Sequence, residues 1–184
     1  FQLTGNGDWN LLEIAPKIAL VQKNLSYEQA NLLIKGKQDF WGLLNKFCLK
    51  AFELRLRKGA LNLTRKEFNF DISDPKQICI TPLNRNSPAN RIIEELAIAV
   101  NRETGRLFKA ADFPGIYRTQ ASFELIKEVE DGEQLSLEHI QVEPARLTTI
   151  SGTHAGLGCE SYMHTTSPIR RFADLITQLQ LKML

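Results

Sequence analysis

Apolar residues recur at helical spacing along much of this chain, in blocks bounded by turn signals. Ser26 opens a helix that runs to Ile34, with Gln29 at the capping-box position, and Gly36 breaks it. Trp41, Leu44, Phe47, Cys48, Ala51, Phe52 and Leu54 form one broad stripe, predicting a longer helix from Asp39 to Lys58 that Gly59 ends. Ser87-Pro88 joins a capping residue to proline at the first helical position, and Ile92, Ile93, Leu96, Ala97, Ile98, Ala99 and Val100 carry that helix to near Gly105. Ser167-Pro168 repeats the signature. Behind it Ile169, Phe172, Ala173, Ile176 and Leu179 predict a last helix with one apolar face.

Shorter runs predict strands. Phe1–Thr4 leads into the hairpin signal Gly5-Asn6-Gly7-Asp8, with a return strand over Leu11–Val21 that Pro16 confines to an edge or a bulge. Leu61–Leu63, Phe68–Ile72 and Ile78–Ile80 follow, with Asp74-Pro75 turning between the last two. Ile116–Arg118 is a strand behind the loop Phe113-Pro114-Gly115, and Arg146–Ile150 is another that feeds a glycine segment. Phe123–Val129 reads as weakly helical and precedes the charged turn Glu130-Asp131-Gly132-Glu133.

Composition narrows this picture modestly. The 184 residues, 43% hydrophobic and 24% charged, suit one domain with a proper core or a large piece of a bigger one. The net charge of +2 neither demands nor excludes nucleic acid, so any basic footprint has to be local. Cys48, Cys79 and Cys159 are far apart and odd in number, which favours reduced thiols and a cytoplasmic setting. No apolar run reaches membrane-span length, so no membrane is expected as a partner. Phe1 is not an initiator methionine and Leu184 falls within a helical pattern, so both ends read as cut.

Candidate chemistry gathers near the C-terminal end. A helix starting at Ser167-Pro168 puts Arg170 and Arg171 in its first turn, where unpaired N–H groups and the dipole favour anions. Phosphate or carboxylate recognition is one reading; pairing of both arginines with Asp174 is the other. In the helix after Ser87, Glu95 shares a charged stripe with Arg91 and Arg102 and reads as solvated. Glu94, aligned with Asn90, Ala97 and Asn101, reads as half-buried, either hydrogen-bonded structurally or lining a site. Tyr27, in a first helical turn, could stack on a base or simply pack. His139, His154 and His164 lack metal-ligand spacing, and His154 is expected to donate a structural hydrogen bond. Only Asp71 and Asp74 fall close together, so no carboxylate set for a catalytic magnesium is evident.

Thr166-Ser167-Pro168-Ile169-Arg170-Arg171-Phe172-Ala173-Asp174-Leu175, preceded in register by His154, Gly156, Leu157, Gly158 and Tyr162, resembles the signature of the ribonuclease II/R (RNB) family. Leu25-Ser26-Tyr27-Glu28-Gln29-Ala30, Asn90-Arg91-Ile92-Ile93-Glu94-Glu95-Leu96 with Asn101, and Pro114-Gly115-Ile116-Tyr117-Arg118 resemble further family stretches in the same order. The resemblance covers nearly the whole chain. It implies an α+β fold of short, mostly antiparallel strands packed with several long helices, forming the C-terminal part of a single catalytic domain over residues 1–184. It also implies a magnesium-dependent, processive 3′→5′ exoribonuclease that hydrolyses single-stranded RNA to 5′ mononucleotides. Arg170 then matches the catalytic arginine, Glu94 the glutamate that meets the terminal nucleotide, and Tyr27 a tyrosine near the RNA 3′ end. Thr166, Ser167 and Arg171 join the expected RNA contacts.

Departures from the family pattern bound that expectation. The family's aspartate cluster, D-x5-D-x-D-D, belongs upstream of the matched region and has no equivalent here, nor do the flanking oligonucleotide-binding domains. This stretch alone is therefore expected to be inactive and to hold no magnesium, its partners being the remainder of its own domain and those flanking OB-fold domains. Leu63 stands where some members carry an RNA-clamping aromatic, Phe172 for a tyrosine, Gln178 for a histidine and Ala155 for a phenylalanine. A noncatalytic RNA-binding or scaffold protein built on the same fold is the alternative.

Overall fold

The computed structural model describes residues 2–3, 9–15, 17–35, 39–62, 67–74, 77–83, 86–127, 135 and 138–184. Their elements run β1 (Gln2–Leu3), β2 (Trp9–Asn10), α1 (Tyr27–Ile34), α2 (Phe40–Arg57), β3 (Glu67–Asp74), β4 (Gln77–Leu83), α3 (Pro88–Ala110), β5 (Tyr117–Thr119), β6 (Glu124–Leu125), β7 (Ile140–Gln141), β8 (Arg146–Thr148) and α4 (Phe172–Leu181). Strands pair antiparallel as β1–β2, β3–β4, β5–β8 and β6–β7, in the α+β class the sequence implies.

The long helix α3 is the axis of this arrangement because it is buried along two stripes. Ala89, Ile92, Leu96 and Ala99 recur three or four residues apart and meet α1 and α2 through Ile34, Cys48, Ala51 and Phe47. Ile98 and Phe108 lie on a second stripe, with Asn101 and Gly105 between them, and meet Leu157, Cys159, Tyr162 and Met163 from the C-terminal part of the chain. Glu95 falls between the stripes and faces α2, where it is 1% exposed. Arg55 of α2 meets it in a two-pronged ion pair: Nε to Oε2 at 3.0 Å and Nη2 to Oε1. The third guanidinium nitrogen, Nη1, donates to Leu157 O at 3.2 Å, so one side chain joins α2, α3 and the glycine segment.

Capping chemistry is legible where it is local. Ser26 and Gln29 form the expected reciprocal box, Asp39 caps α2 through Gly42 N–H at 2.8 Å, and Ser87 caps α3 with Pro88 behind it. Gly59, at φ +87°, ends α2. All three cysteines are free, and burial pushes the Cys48 and Cys159 thiols up to about 12 and about 11.

Several expectations change. The return strand is Trp9–Asn10, and residues 11–15 and 17–21 are irregular and almost wholly exposed; apolar residues there come in adjacent pairs without clean alternation. Leu61 joins no strand, because its N–H donates to Gly156 O at 3.0 Å. Glu124–Leu125 is a strand and not a helix, since Ile126 and Lys127 send their N–H groups across to His139 O. The helix α3 continues five residues beyond Gly105. Gly5-Asn6-Gly7-Asp8, Pro16, Gly36, Leu63, Pro75 and Glu130-Asp131-Gly132-Glu133 lie outside the described residues.

Glu95→Ala leaves the Arg55 charge buried and unpaired, and should cost about 3–5 kcal/mol in urea unfolding. The double variant Arg55→Met/Glu95→Leu should recover most of that loss, short of about 1 kcal/mol for the Leu157 carbonyl, which keeps only the weak Cys159 thiol donor. A loss under about 1 kcal/mol for Glu95→Ala contradicts the central place given to this pair.

Candidate nucleic-acid interface

Asn101 is the residue from which the C-terminal segment hangs. Its side chain is 2% exposed and both of its polar atoms are hydrogen-bonded. Oδ1 accepts the Thr165 N–H at 2.9 Å and the Thr165 hydroxyl at 2.8 Å, while Nδ2 donates to the Tyr162 hydroxyl oxygen at 2.9 Å. Its backbone carbonyl also accepts the Met163 N–H at 3.1 Å. So close an approach needs Gly105 one turn on: a Cβ there would meet Ser161 Oγ and Tyr162 N at 2.8 Å. This explains a glycine inside a helix, where it costs about 1 kcal/mol relative to alanine.

Beyond Thr165 the chain turns around Asp174, which is fully buried. Its Oδ1 accepts the Ser167 N–H at 2.8 Å and the Arg171 Nη2–H at 2.7 Å. Gln178 closes the loop from α4 by donating to Thr165 O at 2.6 Å. The helix therefore starts at Phe172, with Arg171 at its N-cap position and Pro168–Arg170 in a preceding turn held by Ser167 O. Neither arginine lies in the first helical turn as the Ser167-Pro168 signature predicts. The Ser167 N–H is engaged by Asp174, whose carboxylate already satisfies the positive end of the helix. Of the two predicted pairings with Asp174, only that of Arg171 forms. The apolar face of the helix is also different: Asp174 and Thr177 are buried, and Ile169, Phe172 and Leu179 are exposed.

The other site residues fall as follows. Arg170 is exposed and makes no side-chain hydrogen bond or ion pair among the described residues. Thr166 is exposed, its hydroxyl 3.4 Å from Arg171 Nη2, and Ser167 is half-buried. Glu94 is exposed, whereas its neighbour Glu95 is the buried carboxylate, reversing the expected pair; the Arg55 guanidinium on α2 captures the residue one position further round the helix. Glu94 stands seven residues before Asn101, and by helical phase it continues the stripe that faces the 157–165 segment. Tyr27 is 48% exposed at the first turn of α1. Among the described residues no hydrogen bond or ion pair links Glu94 or Tyr27 to Arg170.

Electrostatically the segment is positive. His164 sits between Arg171, 3.5 Å away at Nη1, and Asp174 Oδ2, 4.0 Å away. Burial and the charges of Arg171, Arg118 and Arg170 push His164 down to about 4 against the pull of Asp174. Burial and Arg118 likewise push His154 down to about 4. The Nδ1 atom of His154 is buried without a hydrogen-bond partner among the described residues, and its ring packs edge-on to Tyr162 at 5.5 Å. Asn101, Arg55, Gln178 and Arg118 are the residues sequence reasoning left without a role, and Gly105 it read only as a helix end. The signal for Asn101 was present: an amide on one stripe with Ile98, Gly105 and Phe108.

A family model described as the RNB domain matches residues 1–184. The chain belongs to the RNB family. This RNB chain is 28% identical to Exoribonuclease 2 of Salmonella paratyphi B over 174 residues, covering 76% of the chain and 27% of that protein. It thus spans about a quarter of the length of the curated relatives it matches. Among solved structures it is similar in fold to the Dss1 exoribonuclease of Candida glabrata, with a TM-score of 0.72 and 18% identity over 86% of this chain and 23% of that one. Mycoplasma genitalium RNase R in complex with ribose-methylated single-stranded RNA gives a TM-score of 0.67 at 18% identity, over 85% and 32%. Yeast Ssd1, a pseudonuclease, gives 0.58 at 16% identity, over 86% and 25%.

The histidines of this RNB chain predict a pH dependence. Both are held neutral in the fold and titrate near 6.5 when unfolded, so between about pH 6.5 and 4 the unfolded chain binds protons that the native one does not. Stability should be complete above that window and fall as pH drops through it, by on the order of 3 kcal/mol for each ring. Urea midpoints at stepped pH check this, and His164→Gln should flatten the dependence. An equal acid slope in the variant contradicts the assignment.

Proposed function

We propose that this chain contributes the phosphate-recognition side of a 3′→5′ exoribonuclease that hydrolyses single-stranded RNA to 5′ mononucleotides. One observation carries the reading: Arg170 is exposed and, among the described residues, unpartnered on a turn that Asn101, Gln178 and Asp174 hold in place, while adjacent Arg171 is committed to Asp174. A fixed turn offering a free guanidinium suits a donor aimed at charge that develops on a scissile phosphate. Glu94, reached from the same face of α3 as Asn101, would meet the terminal nucleotide across a shared concavity. Tyr27 would lie near the RNA 3′ end, with Thr166, Ser167 and Arg171 along the backbone. RNase R relatives solved with single-stranded and with double-stranded RNA support the choice of ligand.

The described residues contain no group of three His, Cys, Asp or Glu side chains able to hold a metal ion. They do not by themselves fit the magnesium that the family implies, and the chemistry available to them is anion binding and charge stabilisation. The remainder of the RNB domain and flanking OB-fold domains are the proposed partners. The exposed apolar side chains of β3 and β4 (Phe68, Phe70, Ile72, Ile78 and Ile80) support such packing. No helix among the described residues is long and apolar enough to cross a membrane, and free thiols support a cytoplasmic setting. A noncatalytic RNA-binding role is the second reading, favoured by the likeness to the pseudonuclease Ssd1.

The complete protein, given magnesium and 5′-labelled single-stranded RNA, should release mononucleotides from the 3′ end, and the isolated 184-residue chain should release none. Binding without release by the complete protein establishes the second reading instead. Arg170→Ala in the complete protein should lower turnover roughly 10²–10³-fold with near-normal RNA binding, and Arg171→Ala should cost mainly stability. If Arg170→Ala weakens binding tenfold and leaves turnover intact, Arg170 is a backbone anchor.

A further inference from the structure

We propose that Arg118 is a further phosphate-binding residue, taking a phosphodiester of single-stranded RNA beside the Tyr162–His164 segment. The inference rests on the RNA reading above and extends its site to a strand to which that reading assigns no contact.

Register fixes where Arg118 stands. Tyr117 bridges Met163 in antiparallel sense, and the Arg118 N–H donates to Tyr162 O at 2.8 Å. Arg118 is thus opposite Tyr162, and opposed residues in an antiparallel pair project to one face. The Tyr162 ring on that face is flanked by the rings of His154 and His164, with centroids 5.5 and 5.8 Å away. The Arg118 charge acts on all three groups, Arg171 acts on Tyr162 and His164, and Arg170 acts on His164. Strand β5 and the 166–171 turn therefore both bring guanidinium charge to these rings.

The counter-charge does not match. Arg118 is half-buried and makes no ion pair among the described residues. Asp174 is the carboxylate acting on His164, and its bonded oxygen is filled by Ser167 N–H and Arg171. Neither histidine can supply counter-charge, since an imidazole is neutral or cationic. A half-buried guanidinium with no ion-pair partner among the described residues is placed to take an anion. Tyr162 and His154 are buried and offer no open ring face for a base, which favours the phosphate as the part recognised. A planar guanidinium grips two phosphate oxygens at once.

The test uses the complete protein in EDTA, with anisotropy of a short fluorescent oligoadenylate measured over a range of KCl. Arg118→Met keeps the apolar stem against Tyr162, and Arg118→Gln serves if the methionine variant does not fold. Loss of one phosphate contact should weaken binding several-fold and make the slope of log K against log salt shallower by about 0.7. Arg118→Lys should restore the slope. An unchanged slope in a folded Met or Gln variant overturns the proposal and leaves Arg118 a packing or ion-pair residue. Arg170→Ala, run alongside for turnover with magnesium, separates the two levels. If it alters turnover while Arg118 does not alter the slope, only this inference fails. If neither has any effect, the RNA reading fails with it.

Discussion

The buried amide of Asn101 is the constraint on which the rest of the site depends. The side chain in this place accepts from Thr165 and donates to Tyr162 within one short reach, and asparagine does both without a charge. Aspartate would bring a charge into this buried place, and leucine would leave Thr165 N–H and the Tyr162 hydroxyl without this partner in a dry environment. Gly105 makes the approach possible, and the Phe108, Tyr117 and Met163 cluster seals it further along α3. Through this contact a helix otherwise engaged with α1 and α2 fixes the path of a segment some sixty positions later.

Charge is then distributed by geometry and not by composition. The net charge of +2 is near neutral, yet Arg118, Arg170 and Arg171 gather about one carboxylate and two histidines held neutral. Asp174 absorbs Arg171, the Ser167 N–H and the start of α4 together, which leaves Arg170 with nothing to bind inside the described residues. Adjacent arginines thus have opposite employment, one structural and one free. Helix-end electrostatics do not make this an anion site, since Asp174 occupies the helix start. The guanidinium groups and the rigidity of the turn do.

Much of the fold was legible because its signals are local. The Ser26–Gln29 box, the Asp39 and Ser87 caps and the α2 stripe depend on neighbours a few residues apart. What misled depended on partners far along the chain. Gly105 read as a helix end because the segment that needs its missing Cβ lies at Ser161–Tyr162. The burial of Glu94 and Glu95 is reversed because Arg55, forty residues earlier, claims the second. Ser167-Pro168 looked like a cap because Asp174 was read as a partner of arginines alone and not of the Ser167 N–H. Arg170 was picked out from spacing and family resemblance, but its isolation from Asp174 required the turn. Arg118 matched a motif without a role, because its neighbours converge only in three dimensions.

The claim that Asn101 holds the site is tested most directly by amide hydrogen exchange in the complete protein carrying Asn101→Leu. The account predicts that protection is lost at Thr165 and over residues 162–167, while α2 and the first turns of α3 exchange as in the parent. Unchanged protection at Thr165 would contradict it, since the turn that presents Arg170 would then be held by something other than this amide.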